Sequence, residues 1–129
     1  MILLDTHIFV WLAIEDKKLS RKYLEILETV NERALSIMSC WEIAKLVEKG
    51  KLRFNVPIAE WLQTALDFNN IQILQLEIDI IADSISLPGK FHKDPADQLI
   101  VATARVLDIE LMTVDEKIVN YPYVKLVKV

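Results

Sequence analysis

Short apolar runs alternate along the chain with longer segments in which apolar residues recur at helical spacing. Short runs rich in Leu, Ile and Val are typical of buried strands, and the recurrent spacing predicts amphipathic helices. The predicted strands are residues 2–4, 35–38, 72–76, 111–114 and, as a fifth, 124–127. The predicted helices are an unusually apolar one around residues 9–13 and five more at 19–30, 40–49, 57–66, 78–87 and 95–107.

This alternation predicts an α/β protein whose parallel sheet is covered by helices on both faces. A chain of 129 residues fits one domain, and no linker, repeat or low-complexity tract divides it, so residues 1–129 form a single predicted domain. Ligands of such sheets bind beyond the carboxyl ends of the strands. Functional side chains are therefore expected at that edge.

The composition excludes several kinds of site. The whole chain has two glycines, too few for the glycine-rich loops that bind phosphate through backbone amides. Gly50 suits the end of the helix at 40–49 instead, and Gly89 suits a turn. The net charge of −4 argues against binding a polyanion by bulk attraction. Cys40 is the single cysteine, which excludes an intrachain disulfide and a cysteine-based zinc site.

No pattern in the chain indicates export or membrane insertion. The longest stretches without a charged residue have nine residues, whereas a membrane-spanning helix needs about 20. No basic segment precedes an apolar run near the first residue, as a secretory signal would require. The expected location is the reducing cytoplasm, with no membrane partner.

Four acidic residues lie at predicted helix starts, or within one turn of them. Asp5, Glu42 and Asp115 follow the predicted strands at 2–4, 35–38 and 111–114, and Asp97 lies at the start of the helix at 95–107. Since the carboxyl ends of parallel strands meet at one edge of a sheet, these four side chains are expected to lie close together.

Helix capping is the alternative explanation for each acid taken alone. Two pairs have the spacing of a capping box: Ser39 with Glu42, and Thr113 with Glu116. Asp94, which precedes a proline, fits an N-cap. Capping explains why an acid lies near a helix start. It does not explain why four helix starts associated with strands each place an acid at the same edge of the sheet, where the flanking residues are apolar. Carboxylates clustered there would repel one another, and partial burial would raise their pKa values unless cations compensate.

Mg²⁺ or Mn²⁺ is the expected compensating cation, because both ions prefer oxygen ligands and keep waters that a substrate phosphate can displace. One or two such ions would recruit a phosphodiester without a glycine loop and would activate an attacking water. Four basic residues follow the second strand and would add substrate contacts, although such a run is more often a solvated helix face. They are Lys45, Lys49, Lys51 and Arg53.

Four ordered sequence blocks resemble the PIN-domain ribonucleases and, within them, the VapC toxins of toxin–antitoxin pairs. The blocks extend from residue 3 to residue 115, nearly the whole predicted domain. They are LLDTH at 3–7, SCWEIA at 39–44 with GKL at 50–52, FHKDPADQLIVATA at 91–104, and LMTVD at 111–115.

The resemblance implies a three-layer α/β/α sandwich with a central parallel sheet of four or five strands, and the activity of a Mg²⁺- or Mn²⁺-dependent endoribonuclease. The catalytic and metal-binding acids of the family correspond to Asp5, Glu42, Asp97 and, as a fourth and more variable one, Asp115. Thr6 and Thr113 match its small hydroxyl residues, which would position water or phosphate. The resemblance further implies an RNA substrate, a homodimer, and a cognate antitoxin whose tail covers the active groove.

The sequence departs from its relatives at two positions near Asp97. Gln98 stands where related toxins commonly have Arg, and a neutral amide cannot pair with a carboxylate or phosphate. Lys93 replaces a small residue and would add positive charge to the rim of the site. His7 and His92 are candidate acid–base residues, but a packing or surface role is favoured for both.

All three tryptophans lie in predicted helices with apolar neighbours. Core packing is favoured over base stacking for Trp11, Trp41 and Trp61. An aspartyl-phosphate phosphatase is disfavoured, because that chemistry needs D-x-D at the end of the first strand and the second position here is His7. The main alternative to a nuclease is a catalytically inactive PIN-like module that binds RNA or protein and whose acids only cap helices.

Overall fold

Four short apolar strands form the central sheet. The computed structural model describes residues 1–129, with β1 at Ile2–Leu4, β2 at Arg33–Ser36, β3 at Ile71–Leu74 and β4 at Glu110–Met112. All neighbouring pairs are parallel, in the order β3-β2-β1-β4. β1 therefore lies inside the sheet, between β2 and β4, and its carboxyl end lies at the middle of the functional edge.

Seven helices connect and cover these strands. They are α1 at Thr6–Ile14, α2 at Arg21–Thr29, α3 at Ile37–Glu48, α4 at Ile58–Phe68, α5 at Ile78–Ser84, α6 at Pro95–Leu107 and α7 at Glu116–Val119. α3 contacts α1, α4 and α6. No helix combines the length and the apolarity that crossing a membrane requires.

The two faces of the sheet bury separate apolar clusters, because successive strand residues point to opposite faces. Leu4 of β1 packs in one cluster with side chains of α1, α2, α3 and α4, including Phe9 and Leu27. Leu3 packs in the other with side chains of α6 and α7, including Ile100. Helices thus cover both faces, and the predicted three-layer α/β/α sandwich is confirmed.

The predicted boundary between the second strand and its helix is wrong. The strand was expected at 35–38 and the helix at 40–49, but β2 ends at Ser36 and Ile37 already begins α3. Ser36 is the N-cap, since its side chain accepts a hydrogen bond from the backbone N–H of Met38. The apolar run continues across this boundary, so its hydrophobicity hides the change from strand to helix.

Three other elements also end earlier than predicted. β3 ends at Leu74 rather than 76, β4 ends at Met112 rather than 114, and α5 ends at Ser84 rather than 87. The expected fifth strand at 124–127 is reduced to one parallel bridge, in which Leu111 N–H donates to the Lys125 carbonyl and Leu111 O accepts from Val127 N–H. The sheet therefore has four strands, the smaller of the two predicted numbers.

Both glycines have the predicted turn roles. Gly50 has φ +74° directly after α3, and its N–H donates to the Val47 carbonyl while Lys51 N–H donates to the Leu46 carbonyl. These two bonds form a Schellman motif. Gly89 has φ +66°, and a Cβ there would lie 2.9 Å from the Tyr123 ring. A side chain at position 89 would therefore meet both backbone strain and a steric clash.

Candidate active site

Asp5 is fixed at the carboxyl end of β1 by groups from β4, from α1 and from the residue that follows β4. Its backbone N–H donates to the Met112 carbonyl of β4 at 2.9 Å. One carboxylate oxygen accepts from Thr6 N–H at 2.8 Å and thereby caps α1. The other accepts from the Thr113 hydroxyl at 2.6 Å. Only 5% of Asp5 is exposed, so these donors replace most of the water that would otherwise solvate its charge.

Glu42 reaches the same edge from the second turn of α3. The Thr6 hydroxyl lies 2.5 Å from Glu42 Oε1 and 2.8 Å from the Ser39 hydroxyl. Thr6 has one hydroxyl proton, and the shorter contact to a carboxylate takes it, so Ser39 donates to Thr6. A relay of two hydroxyls therefore orients Glu42. The capping-box interpretation of Ser39 with Glu42 is wrong, because both residues lie inside the helix.

Asp97 lies in the first turn of α6, where Asp94 is the N-cap and accepts from Asp97 N–H at 3.1 Å. No strand precedes this helix, since the chain reaches it from a loop after α5. The expectation that all four helix starts are associated with strands is therefore wrong for Asp97. His92 Nε2 lies 2.9 Å from Asp97 Oδ2 but makes no well-angled hydrogen bond, and this buried nitrogen has no other partner.

Asp115 caps α7, because its side chain accepts from Lys117 N–H at 2.9 Å. Thr113 precedes the cap and accepts from Asp115 N–H at 3.1 Å, so the predicted capping box with Glu116 is not formed. Capping is thus confirmed for Asp5, Asp94 and Asp115, whereas Glu42 and Asp97 cap no helix.

Burial raises the pKa values of the Asp5 and Glu42 carboxyls. For Asp5, burial raises the pKa, and hydrogen bonds from the Thr113 hydroxyl and the Thr6 N–H oppose the rise. For Glu42, burial again raises the pKa, the Thr6 hydroxyl opposes it, and the charges of Asp5 and Asp94 add to it. Each threonine therefore helps to keep one buried carboxylate ionised.

Asp97 has the most strongly perturbed carboxyl of the cluster. Burial, followed by repulsion from neighbouring carboxylates, raises its pKa to about 7. The repelling groups are Asp5, Asp94, Glu42 and Asp115. The four acids singled out in the sequence thus come close enough to interact electrostatically, together with Asp94.

The chemistry of this donor set fits a hard divalent cation. Every group is a carboxylate oxygen, the ligand that Mg²⁺ and Mn²⁺ prefer, and a cation would relieve the mutual repulsion. No three histidine, cysteine or acidic side chains converge closely enough to ligate one ion together directly. Mg²⁺ commonly binds through one or two carboxylates and keeps several waters, so this spacing is compatible with an ion that the remaining acids contact through water.

Sequence reasoning missed three features of the site. Ser39 was interpreted as a cap rather than as part of the hydroxyl relay to Glu42. The contact between His92 and Asp97 was not expected, although their five-residue spacing around a helix start is a usable signal. Gln98 donates from its side chain to the His92 carbonyl at 3.1 Å and so fixes the loop that carries this histidine.

The basic residues after β2 lie on the surface. Lys45 pairs with Glu48 at 3.1 Å, and its ammonium group lies 5.6 Å from the Trp41 ring centroid. Lys49, Lys51 and Arg53 have no carboxylate within 4.0 Å. The core assignment is wrong for Trp41, which is 51% exposed.

Replacing Thr113 by Val should lower the free energy of unfolding by about 1–3 kcal/mol at pH 7, because it leaves the buried Asp5 carboxylate without its hydroxyl donor. Thr113→Ser keeps the hydroxyl and is the matched control, with a smaller expected loss. Chemical denaturation of both variants and the wild type measures the difference. A loss in Thr113→Ser as large as that in Thr113→Val would contradict this cause, because Ser keeps the hydroxyl donor.

The fold and the acidic cluster define a class of protein, the PIN domain. The sequence profile of the PIN domain family matches residues 2–122, and the chain belongs to this family. Ribonuclease VapC22 of Mycobacterium tuberculosis is 31% identical to it over 117 residues, which cover 91% of this chain and 88% of the relative. The resemblance found in the four sequence blocks is therefore confirmed.

Solved structures, among them one described as a toxin–antitoxin complex, have the same fold. VapBC2 from Rickettsia felis, bound to a DNA fragment from its promoter, has a TM-score of 0.71 at 21% identity and 98% coverage of both chains. A toxin–antitoxin complex from Klebsiella pneumoniae has a TM-score of 0.68 at 22% identity, covering 99% of this chain and 97% of that one. FitAcB from Neisseria gonorrhoeae has a TM-score of 0.69 at 19% identity, with the same coverage.

Proposed function

We propose that this protein is an endoribonuclease that hydrolyses RNA phosphodiester bonds and is the toxin of a toxin–antitoxin pair. Family membership and the likeness to Ribonuclease VapC22 support the reaction class. The observation that carries the proposal is the group of mutually repelling acids at the carboxyl edge of the sheet, where the pKa of Asp97 rises to about 7. Helix capping does not explain why Glu42 and Asp97 lie in this group, because neither acid caps a helix.

The proposed cofactor is Mg²⁺ or Mn²⁺. Asp5, Glu42 and Asp97 would bind it, with Asp115 as a fourth, more variable ligand. When bound, the ion supplies positive charge that polarises the phosphodiester and lowers the pKa of the attacking water. Thr6 and Thr113 keep two of the carboxylates ionised and oriented, and we propose that their hydroxyls also position water or substrate phosphate.

The proposed partners are an RNA substrate, a cognate antitoxin and a second copy of the chain. Two of the structural relatives are described as toxin–antitoxin or VapBC assemblies, which supports an antitoxin partner. α5 has an exposed apolar face, a feature that suits a protein interface. Its residues are Ile78, Ile81 and, at the C-cap, Ile85. The cytoplasm is the proposed location.

Cleavage of a mixed pool of RNA tests the proposed function. With Mg²⁺ or Mn²⁺ the protein should produce defined RNA fragments, excess chelator should reduce the rate by at least about 100-fold, and added metal should restore it. Cleavage that survives chelation would contradict the metal role.

Thermal denaturation with and without Mg²⁺ separates the nuclease from the inactive PIN-like module. A nuclease with a metal site should gain stability as the ion concentration rises above its dissociation constant. A protein that neither cleaves RNA nor gains stability from metal would instead be the binding module. An Asp5→Asn variant purified in the same way should produce no RNA fragments. This result would exclude a contaminating nuclease as the source of cleavage.

A further inference from the structure

Trp41 is the one tryptophan that does not pack in the core. Trp61 stacks on Phe54 with ring centroids 3.9 Å apart, and Trp11 packs against the larger core cluster. Trp41 is 51% exposed and forms no aromatic pair. It directly precedes Glu42 in α3. A large aromatic side chain is therefore exposed to solvent one position before an acid of the site.

Two lysines continue from Trp41 along the same face of α3. Lys45 and Lys49 follow it at intervals of four residues, which places the three side chains on one stripe. At about 1.5 Å of rise per residue the stripe extends about 12 Å along the helix axis. The Lys45 ammonium group lies 5.6 Å from the ring centroid, and Lys49 has no carboxylate within 4.0 Å.

We propose that Trp41, Lys45 and Lys49 form a nucleotide subsite next to the acids, an inference that rests on the proposed nuclease function. The Trp41 ring stacks on an unpaired base of single-stranded RNA, and the two ammonium groups contact backbone phosphates. Base–aromatic stacking next to a basic stripe is a general means of binding single-stranded nucleic acid. A duplex is not expected here, because its bases are already stacked on one another.

The subsite explains how a protein of net charge −4 binds a polyanion. Positive charge is needed only where the RNA backbone passes, and Lys45 and Lys49 supply it along α3 once Lys45 exchanges its 3.1 Å contact with Glu48 for a phosphate. Stacking adds affinity that does not depend on charge and tolerates different bases. The proposal therefore predicts a site with little base selectivity at Trp41 and marked dependence on salt.

Binding of a short single-stranded oligoribonucleotide of mixed sequence, measured with excess chelator, tests the subsite, because the proposed hydrolysis requires a divalent ion and the probe stays intact without it. Trp41→Leu should weaken binding by about tenfold or more, and Trp41→Phe, which keeps a ring, by no more than about threefold. Lys49→Gln should reduce the salt dependence of binding, with a slope smaller by about 0.7. Fluorescence anisotropy of labelled RNA measures the dissociation constants, and quenching of tryptophan emission should be smaller in Trp41→Phe than in the wild type.

Two matched variants provide the controls. Phe68→Leu removes another exposed aromatic ring, at the end of α4 that leads into the start of β3, opposite the functional edge. Lys22→Gln removes an exposed lysine from α2. Both should bind the probe like the wild type, and circular dichroism should verify that every variant is folded.

The outcomes separate this inference from the proposed function. Wild-type binding and RNA cleavage with unchanged binding by Trp41→Leu and Trp41→Phe would overturn the subsite and leave the nuclease intact. A wild type that neither binds the probe nor cleaves RNA would overturn both. A shift of wild-type tryptophan emission with protein concentration in the absence of RNA, lost in Trp41→Phe, would assign the ring to contact with a second copy of the chain and would also overturn the subsite.

Discussion

Asp97→Asn should reduce the rate of RNA cleavage by at least about 100-fold, the effect that losing one charge-stabilising group has in many enzymes. The substitution keeps the shape of the side chain and removes a negative charge from the cluster that would bind the divalent ion. Single-turnover cleavage with saturating protein measures the chemical step. The variant should also need more Mg²⁺ to reach half of its maximal rate, because a neutral amide is a poorer ligand for a hard cation.

Asp94→Asn is the matched control for this experiment. Asp94 also contributes negative charge near Glu42 and Asp97, but its side chain caps α6, a role that Asn fills almost equally well. The control should therefore keep its rate within a few-fold of the wild type. Equal losses in both variants would mean that the rate follows the total charge of the cluster rather than ligation by Asp97.

The helices with explicit start signals were predictable from the sequence. α6 has the predicted bounds because Asp94 provides an N-cap and Pro95 suits the first helical position. Gly50 marks the end of α3 for an equally local reason, since it has the left-handed conformation of a Schellman motif. These signals act within one turn of the chain, so the sequence contains all the information they need.

The start of α3 was not predictable from hydrophobicity. Residues 35–38 are apolar except for Ser36. The hydrophobicity of this run does not reveal where the strand ends. Tertiary packing decides this, because α3 contacts α1, α4 and α6 at once. As a result Glu42 lies one turn further into the helix than expected, where it accepts a hydrogen bond from Thr6.

The residues of the candidate site were predictable, but their contacts were not. Motif position indicated Asp5, Glu42, Asp97 and Asp115, and the structure brings them into electrostatic contact. The Thr6 hydroxyl meets Glu42 across 36 positions of sequence, and the Thr113 hydroxyl meets Asp5 across 108. Such contacts depend on the order of the strands in the sheet, which the spacing of motifs along the chain does not specify.

Asp97→Asn should also stabilise the folded protein at pH 8 in the absence of divalent cations. The pKa of Asp97 is raised to about 7 in the folded state, whereas an unfolded aspartate titrates near 3.9. Between these values the folded state binds more protons than the unfolded state, so wild-type stability falls as pH rises from about 4 to about 7. The amide cannot ionise, and Asp97→Asn should escape this loss.

The expected gain in the free energy of unfolding at pH 8 is about 2 kcal/mol, which allows for solvent screening of a partly exposed carboxyl. At pH 4 the variant and the wild type should differ little, because Asp97 is then protonated in the folded protein. Chemical denaturation with chelator at both pH values measures the gain, and Glu28→Gln, which removes an exposed carboxylate on α2, should show no comparable change. A gain of equal size at pH 4 and pH 8 would contradict the electrostatic cause, because improved packing by Asn does not depend on pH. Added Mg²⁺ should reverse the order of stability at pH 8, since only the wild type would bind the ion through a full set of carboxylates.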